Sequence, residues 1–357
     1  MLELKKKFTT DLYEVLLLVE QEEDCFRLDQ FVSLFLESFS REQIKKKIAR
    51  GEVKIENRPY PHKASVKVYH GEKVLIFTPR GDLEDEYWNG QKLELQFDPE
   101  IIFENDDVVA ISKPAYMVTH PTGQHLFNCA TVYFENKYNK TVHSIHRLDR
   151  ETSGVLLLGK NPKAAQKVTD LFENDIVKKC YFFMARKNKP HYDFPIIANE
   201  RLGQLPDYIP RLYTHCFPED SNQGKHAHTE LYCLYENETY VLGIAMIKTG
   251  RQHQIRAHAA FHGLPLVGDK LYNGDPTVFM RFKDGDATKE DHDLMDLHRH
   301  GLHSTALKLN WPSKNDPTLF RAPIPLDFKD WIRERIPKVD IAKLENDIDD
   351  LIKKLFS

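Results

Sequence analysis

Apolar and polar positions change period several times along the chain, and each change marks an element. Val15 to Val19 is a short apolar run closed by the acidic stretch Glu20 to Asp24, which reads as a leading strand and turn. Leu28, Phe31, Val32, Phe35, Leu36 and Phe39 recur at helical spacing and give one apolar face. Ser40, with Gln43 three positions on, is a capping-box signature for a second helix that turns Ile44 and Ile48 inward and ends at Gly51. Short strands follow at Val53 to Ile55 and Lys73 to Phe77. Further strands are expected at Ile101 to Phe103 and Val108 to Ile111. The four apolar residues between Gly154 and Gly159 read as a buried strand. Ala164, Ala165, Val168, Leu171 and Phe172 form one face of a helix. Strands are expected again at Lys179 to Ala185, Glu230 to Leu234 and Val241 to Ile247. The tail carries Ile341, Leu344, Ile348, Leu351 and Leu355 at helical spacing. Two polar stretches, 187–224 and 273–300, read as a long excursion and a surface insertion.

The 357 residues are enough for one large domain and a small one. The formal net charge of −4 hides a dipolar layout. From Arg41 to Arg80 there are 11 Lys/Arg and 4 Asp/Glu, whereas Asp82 to Asp107 holds 10 acids and one Lys. A basic module followed by an acidic linker fits a polyanion partner held by one part of the protein. The basic residues of the second helix, Arg41, Lys45, Lys46, Lys47 and Arg50, fall mostly on its solvent faces. For an isolated helix this is only a solvated basic surface.

The five cysteines are odd in number and show no close spacing, which argues for a reducing compartment and against disulfides. The 17 histidines fit no common ligand pattern, so no metal is expected. Met1 to Thr10 is basic without a long apolar core, and no apolar run reaches membrane-spanning length. A cytoplasmic location with no membrane partner follows as the expectation.

Candidate chemistry centres on His146-Arg147-Leu148-Asp149-Arg150-Glu151-Thr152-Ser153-Gly154, which leads into the buried strand. Asp149 sits on a loop between Arg147 and Arg150. Two guanidiniums should depress its pKa and keep it ionised. That suits a nucleophile or a base, and a structural ion pair equally well. Tyr181 lies in an expected strand, where core packing is the commoner role. Thr249-Gly250-Arg251-Gln252-His253-Gln254-Ile255-Arg256 follows another strand.

The ordered words His-Arg-Leu-Asp, Thr-Ser-Gly, an aliphatic run and Lys160 closely resemble the signature of the RluA-type pseudouridine synthases. Lys113-Pro114-Ala115-Tyr116 through His120-Pro121 resembles another segment of that family, with Tyr116 where Gly is usual. Lys179-Cys180-Tyr181, Gly224-Lys225-His226-Ala227-His228-Thr229, Arg251 to His258, Gly263 to Tyr272 and Leu302-His303 continue the likeness. Arg27 to Thr78 is similar to the S-four-like RNA-binding module that many such synthases carry ahead of the catalytic domain.

The resemblance implies an α+β fold: a mixed, mostly antiparallel sheet catalytic domain with a cleft, plus a small α/β RNA-binding domain. It divides the chain into an N-terminal extension (1–24), the RNA-binding module (25–80), an acidic linker (81–100), the catalytic domain (101–335) and a C-terminal helix (336–357). It implies catalysis by Asp149, Tyr181 and Arg256, with Arg256 salt-bridged to Asp149 and Tyr181 stacked on the target base. Arg147 would fill the space left by a flipped base, and Arg251, Lys45, Lys46 and Arg50 would contact RNA. No cofactor is implied. The implied substrate is structured RNA, large-subunit ribosomal RNA by analogy. Transfer RNA, a non-catalytic RNA-binding or ribosome-assembly factor, and a nucleoside or glycan hydrolase stay open. The hydrolase would want a second positioned acid, and the nearest, Glu151, has no evident role.

Overall fold

A computed structural model describes residues 2–8, 12–36, 39–81, 85–121, 125–174, 176–208, 210–309 and 319–357. The chain forms two compact units, Met1–Glu86 with Val118–Val142, and Tyr87–Met117 with His143–Ser357.

The smaller unit holds β1 (Leu2–Phe8), β2 (Leu12–Leu18), α1 (Leu28–Phe35), α2 (Arg41–Ala49), β3 (Val53–Ile55), β4 (Lys73–Pro79) and α3 (Ala130–Tyr138). Its sheet runs β1-β2-β4-β3, antiparallel throughout. The period of two in β2 turns Tyr13, Val15 and Leu17 into a core shared with Leu28, Phe31 and Val32 of α1 and Ile44 and Ile48 of α2. The leading strands are therefore part of this sheet, because β2 pairs with β4 along its whole length. The capping box forms as expected: Ser40 Oγ accepts from the Gln43 amide, and Gln43 Oε1 accepts from the Ser40 amide. Lys47 departs from the solvent-facing reading. It is buried, paired with Glu52 and set over the Phe39 ring. Val118, Cys129 and Val132 also join this core.

The larger unit opens with a small pair, β5 (Tyr87–Trp88) and β6 (Gln91–Lys92). It continues with β7 (Glu100–Glu104), β8 (Val108–Lys113), β9 (His143–Ser144), β10 (Ser153–Gly159), α4 (Pro162–Glu173), β11 (Lys178–Arg186), β12 (Ile196–Ala198), β13 (Arg201–Gly203) and β14 (His215–Phe217). Next come β15 (Thr229–Glu236), β16 (Tyr240–Ile247), α5 (Gln254–Phe261), α6 (Pro276–Asp284), α7 (Lys289–Met295), β17 (Leu302–Lys308), β18 (Leu319–Arg321), α8 (Leu326–Arg335) and α9 (Ile341–Phe356). Ten strands make one sheet, ordered β12-β15-β16-β11-β17-β10-β8-β7, with β18 beside β17 and β9 beside β10. Every pairing is antiparallel except β10 with β17. The fold is thus α+β with a mostly antiparallel sheet.

Pleating decides which side chains of β11 reach which face. Cys180, Phe182 and Met184 pack with Phe328, Trp331 and Ile332 of α8 and Leu344, Ile348 and Ile352 of α9. The tail helix therefore covers this sheet. Tyr181, one position out of phase, is turned to the opposite face. The excursion 187–224 contributes β12 to the sheet edge and carries the β13–β14 pair, so it is structured rather than a plain loop.

Gly154 sits where β10 meets β17. Its φ is +108°, and a Cβ there would lie 2.1 Å from the Ser304 carbonyl oxygen. Only glycine fits that close approach. Gly154→Ala is expected to lower unfolding stability by about 2 kcal/mol, read as a drop in the thermal midpoint. An unchanged midpoint would mean that the crossing relaxes freely.

Candidate active site

The parallel step brings the site together. β10 and β17 pair through Ser153↔His303 and Gly154↔Ser304. On the other side of β17, Tyr181 is opposite Ser304. The loop that enters β10 and the Tyr181 strand thus converge on one cleft. It is lined by Arg147, Leu148, Asp149, Thr152, Tyr181, Arg251, His253 and Arg256, among others. Five of the residues singled out from the sequence (Arg147, Asp149, Tyr181, Arg251 and Arg256) share this cleft. Lys45, Lys46 and Arg50 are exposed on α2 of the smaller unit. Lys46 pairs with Glu42 at 3.2 Å there, and Arg50 lies 3.8 Å from Glu52.

Arg256, on the first turn of α5, is the hub. Its Nη1 donates to Asp149 Oδ2 at 3.0 Å, while Nε and Nη2 fork onto Asp269 at 2.7 and 2.8 Å. Asp269 is fully buried and also accepts from the backbone amides of Leu271 and Tyr272. Arg256 lies over the Tyr272 ring, its guanidinium 5.3 Å from the ring centroid. The start of α5 is held by Gln254: its Oε1 accepts from the Arg251 amide, and its Nε2 donates to the His228 carbonyl.

Burial alone would raise the Asp149 pKa. The charge of Arg256, and of His253 and His300 when they are protonated, outweighs it and holds the carboxyl well below the usual range. Arg150, expected from its neighbouring position to share in this, instead lies over the Tyr116 ring. Burial pushes the Tyr181 hydroxyl pKa up, and the nearby Asp149 adds to the effect.

The other end of the loop is clamped as firmly. Glu151 pairs with Lys270 at 3.0 Å and accepts from the His300 amide at 3.0 Å. The Thr152 hydroxyl meets His300 Nε2 at 2.7 Å. Arg299, 1% exposed, forks onto Asp327 and donates to the Glu151 carbonyl. Lys113 is wholly buried and donates to the carbonyls of Pro114, Met117 and Arg150. It is a brace. His146 is another: its Nε2 accepts from the Leu157 amide, its ring stacks on Phe172, and burial lowers its pKa to about 3. Tyr116 adopts φ +64°, the left-handed backbone that a glycine would take there without strain. Its hydroxyl is anchored on His298.

Sequence reasoning missed Asp269, His253, Arg299 and His300. The last two fall in the stretch read as a surface insertion, 273–300. Its end is buried because Glu151 and Asp327 satisfy its charges. The available signal was Asp269, the lone acid in the run Leu264 to Leu271, which is apolar apart from it and Lys270.

Asp149 is thus a carboxylate held by a guanidinium in a cleft of a mostly antiparallel sheet, and known proteins share much of this sequence. Residues 107–261 match the family model described as RNA pseudouridylate synthase. Ribosomal large subunit pseudouridine synthase D of Vibrio cholerae is 29% identical over 310 residues, spanning 84% of this chain and 88% of its own. An uncharacterised RNA pseudouridine synthase of Aquifex aeolicus is 29% identical over 341 residues, spanning 89% and 97%. The solved structure of human RNA pseudouridylate synthase domain containing 4 is similar at 20% identity, covering 66% of this chain and 92% of that one with a TM-score of 0.49. Over most of its length the chain is thus similar to RNA pseudouridine synthases, isomerases that act on uridines in RNA. No helix among the described residues is long and apolar enough to cross a membrane.

Asp149, Glu151, Asp269 and Asp327 all have lowered folded-state pKa values, each against its own burial. A depressed carboxylate contributes stability above its unfolded pKa, about 4. That contribution is lost as pH falls through the folded value. The buried histidines, His146 and His253 among them, have lowered pKa values and begin to cost stability below about pH 6.5, so urea midpoints are expected to decline from there and to fall more steeply below about pH 4, where the carboxylates add to the loss. A midpoint flat down to pH 3 would contradict the clamp.

Proposed function

We propose that this protein isomerises specific uridines to pseudouridine in structured RNA of the large ribosomal subunit, with Asp149 as the reacting acid. The observation that carries the role of Asp149 is its ionised carboxylate, held on Oδ2 by Arg256 and open to the cleft. The ribosomal target is supported by the named Vibrio cholerae relative.

The reaction is an internal exchange. The bond from uracil N1 to ribose C1′ breaks, the base rotates, C5 bonds to C1′, the C5 proton leaves to water, and N1 takes up a proton. Atoms and electrons balance with no added redox partner. An ionised carboxylate at the sugar starts the reaction either by attacking C1′ or by removing a sugar proton. Arg256 orients that carboxylate and keeps it charged. A uracil stacked in a duplex is out of reach, so the nucleotide flips into the cleft. Tyr181, buried on the floor beside Asp149, stacks on the extruded base. Arg147, exposed at the rim, fills the space left behind, and Arg251 meets phosphate. Lys45, Lys46 and Arg50 form a basic helix face suited to the RNA backbone.

Pseudouridine mapping of total RNA tests this in cells carrying the wild-type gene, a deletion, or Asp149→Asn. Specific large-subunit sites should vanish in the deletion and stay absent with the Asn variant. Unchanged maps would overturn the proposal, and sites lost only from transfer RNA would overturn the ribosomal assignment.

A further inference from the structure

His253 is held in a conformation that few side chains adopt. Its φ of +54° lies in the left-handed region, at the residue preceding α5. Such strain at a cleft points to a role that the strained geometry serves. Here the geometry sets the imidazole between Tyr272 and Asp149. His253 Nδ1 is 3.1 Å from the Tyr272 hydroxyl, and Nε2 is 3.8 Å from Asp149 Oδ2. The ring is 9% exposed and lines the cleft.

The hydrogen-bond pattern accommodates a ring proton on Nε2. The Tyr272 hydroxyl accepts from the Thr214 backbone amide at 2.9 Å. Its own proton has His253 Nδ1 within reach as acceptor. A neutral ring that accepts at Nδ1 carries its hydrogen on Nε2, the atom directed at Asp149. Burial and the neighbouring Arg256 lower the His253 pKa to about 4, consistent with a neutral ring. Arg256 addresses the same Oδ2. Among the described residues, no hydrogen bond reaches Asp149 Oδ1.

We infer that His253 is a positioning residue for Asp149: with uridine in the cleft, its Nε2–H closes on Oδ2 beside Arg256, turning Oδ1 to the sugar. The inference rests on the reading of Asp149 as the reacting acid. One donor lets a carboxylate swing about its Cβ–Cγ bond; two donors on one oxygen stop that motion. Catalytic hydrogen bonds often tighten only in the substrate complex, and at 3.8 Å Nε2 is within reach of that closure. The line from the Thr214 amide through Tyr272 and His253 to Asp149 also ties the excursion that carries β13 and β14 to the reacting group.

The test uses the full chain and RNA labelled with 5-tritiated uridine, taken from cells lacking the gene. Tritium released to water reports loss of the C5 hydrogen. Single-turnover release by His253→Phe should fall on the order of 10- to 100-fold, with the half-saturating RNA concentration unchanged. His253→Gln, whose amide N–H can occupy the place of Nε2, should recover most of the rate. Tyr272→Phe should slow the wild-type background and leave the Gln background unaffected. Should the Phe variant fail to fold, His253→Asn, whose amide is too short to reach Oδ2, takes its place. Wild-type turnover by the Phe or Asn variant would overturn the inference, as would equal losses in Phe and Gln with both proteins folded. Equal release by wild type and Asp149→Asn would instead overturn the reading of Asp149.

Discussion

The site depends on one guanidinium with two carboxylates. Arg256 offers a fork to Asp269 and its remaining edge to Asp149. Asp269 is buried without exposure, so it requires that fork and the two backbone amides it accepts. Replacing Arg256 with an uncharged residue would strand a buried anion, which typically costs about 3–5 kcal/mol. The interaction that keeps Asp149 ionised is therefore the one that lets the 269–272 turn stay buried. Function and local stability share a side chain.

A second clamp holds the far end of the same loop. Glu151 is gripped by Lys270 and the His300 amide, and its carbonyl by Arg299. Consecutive residues, Asp269 and Lys270, thus reach opposite ends of the 149–151 segment, one through Arg256 and one directly. Lys113 ties the Arg150 carbonyl from below. Buried charge is balanced locally: each acid faces a cation at hydrogen-bonding distance. Such networks orient groups within narrow limits, which is what a reacting carboxylate needs.

Much of this was legible in the sequence. Strand and helix positions followed from apolar period, as at Val155 to Leu158 and along α4, because burial on one or both faces writes itself into spacing. Asp149 and Arg256 stood out because their motifs are ordered words. Their meeting was an expectation carried by resemblance, and the structure brings them to 3.0 Å. What spacing could not give was long-range pairing. The stretch 273–300 looks like surface because it is polar, with Asp and His in excess. Its last residues are buried only because Glu151 and Asp327 wait for them elsewhere in the chain. Lys47 looks equally solvated until Glu52 and Phe39 close over it. The left-handed backbone at His253 is not written in the sequence, since most histidines take negative φ even though the type tolerates positive values better than most.

The central claim is that a planar fork, rather than positive charge alone, holds the reacting acid. Arg256→Lys keeps the charge and removes the fork, since one ammonium cannot hold both Asp269 and Asp149 in their present geometry. The direct measurement is the single-turnover rate of uridine-to-pseudouridine conversion by this variant, on RNA lacking the modification, with folding checked by circular dichroism. A folded variant slowed on the order of 100-fold or more is the expected result. A folded variant converting uridine at the wild-type rate would contradict the account.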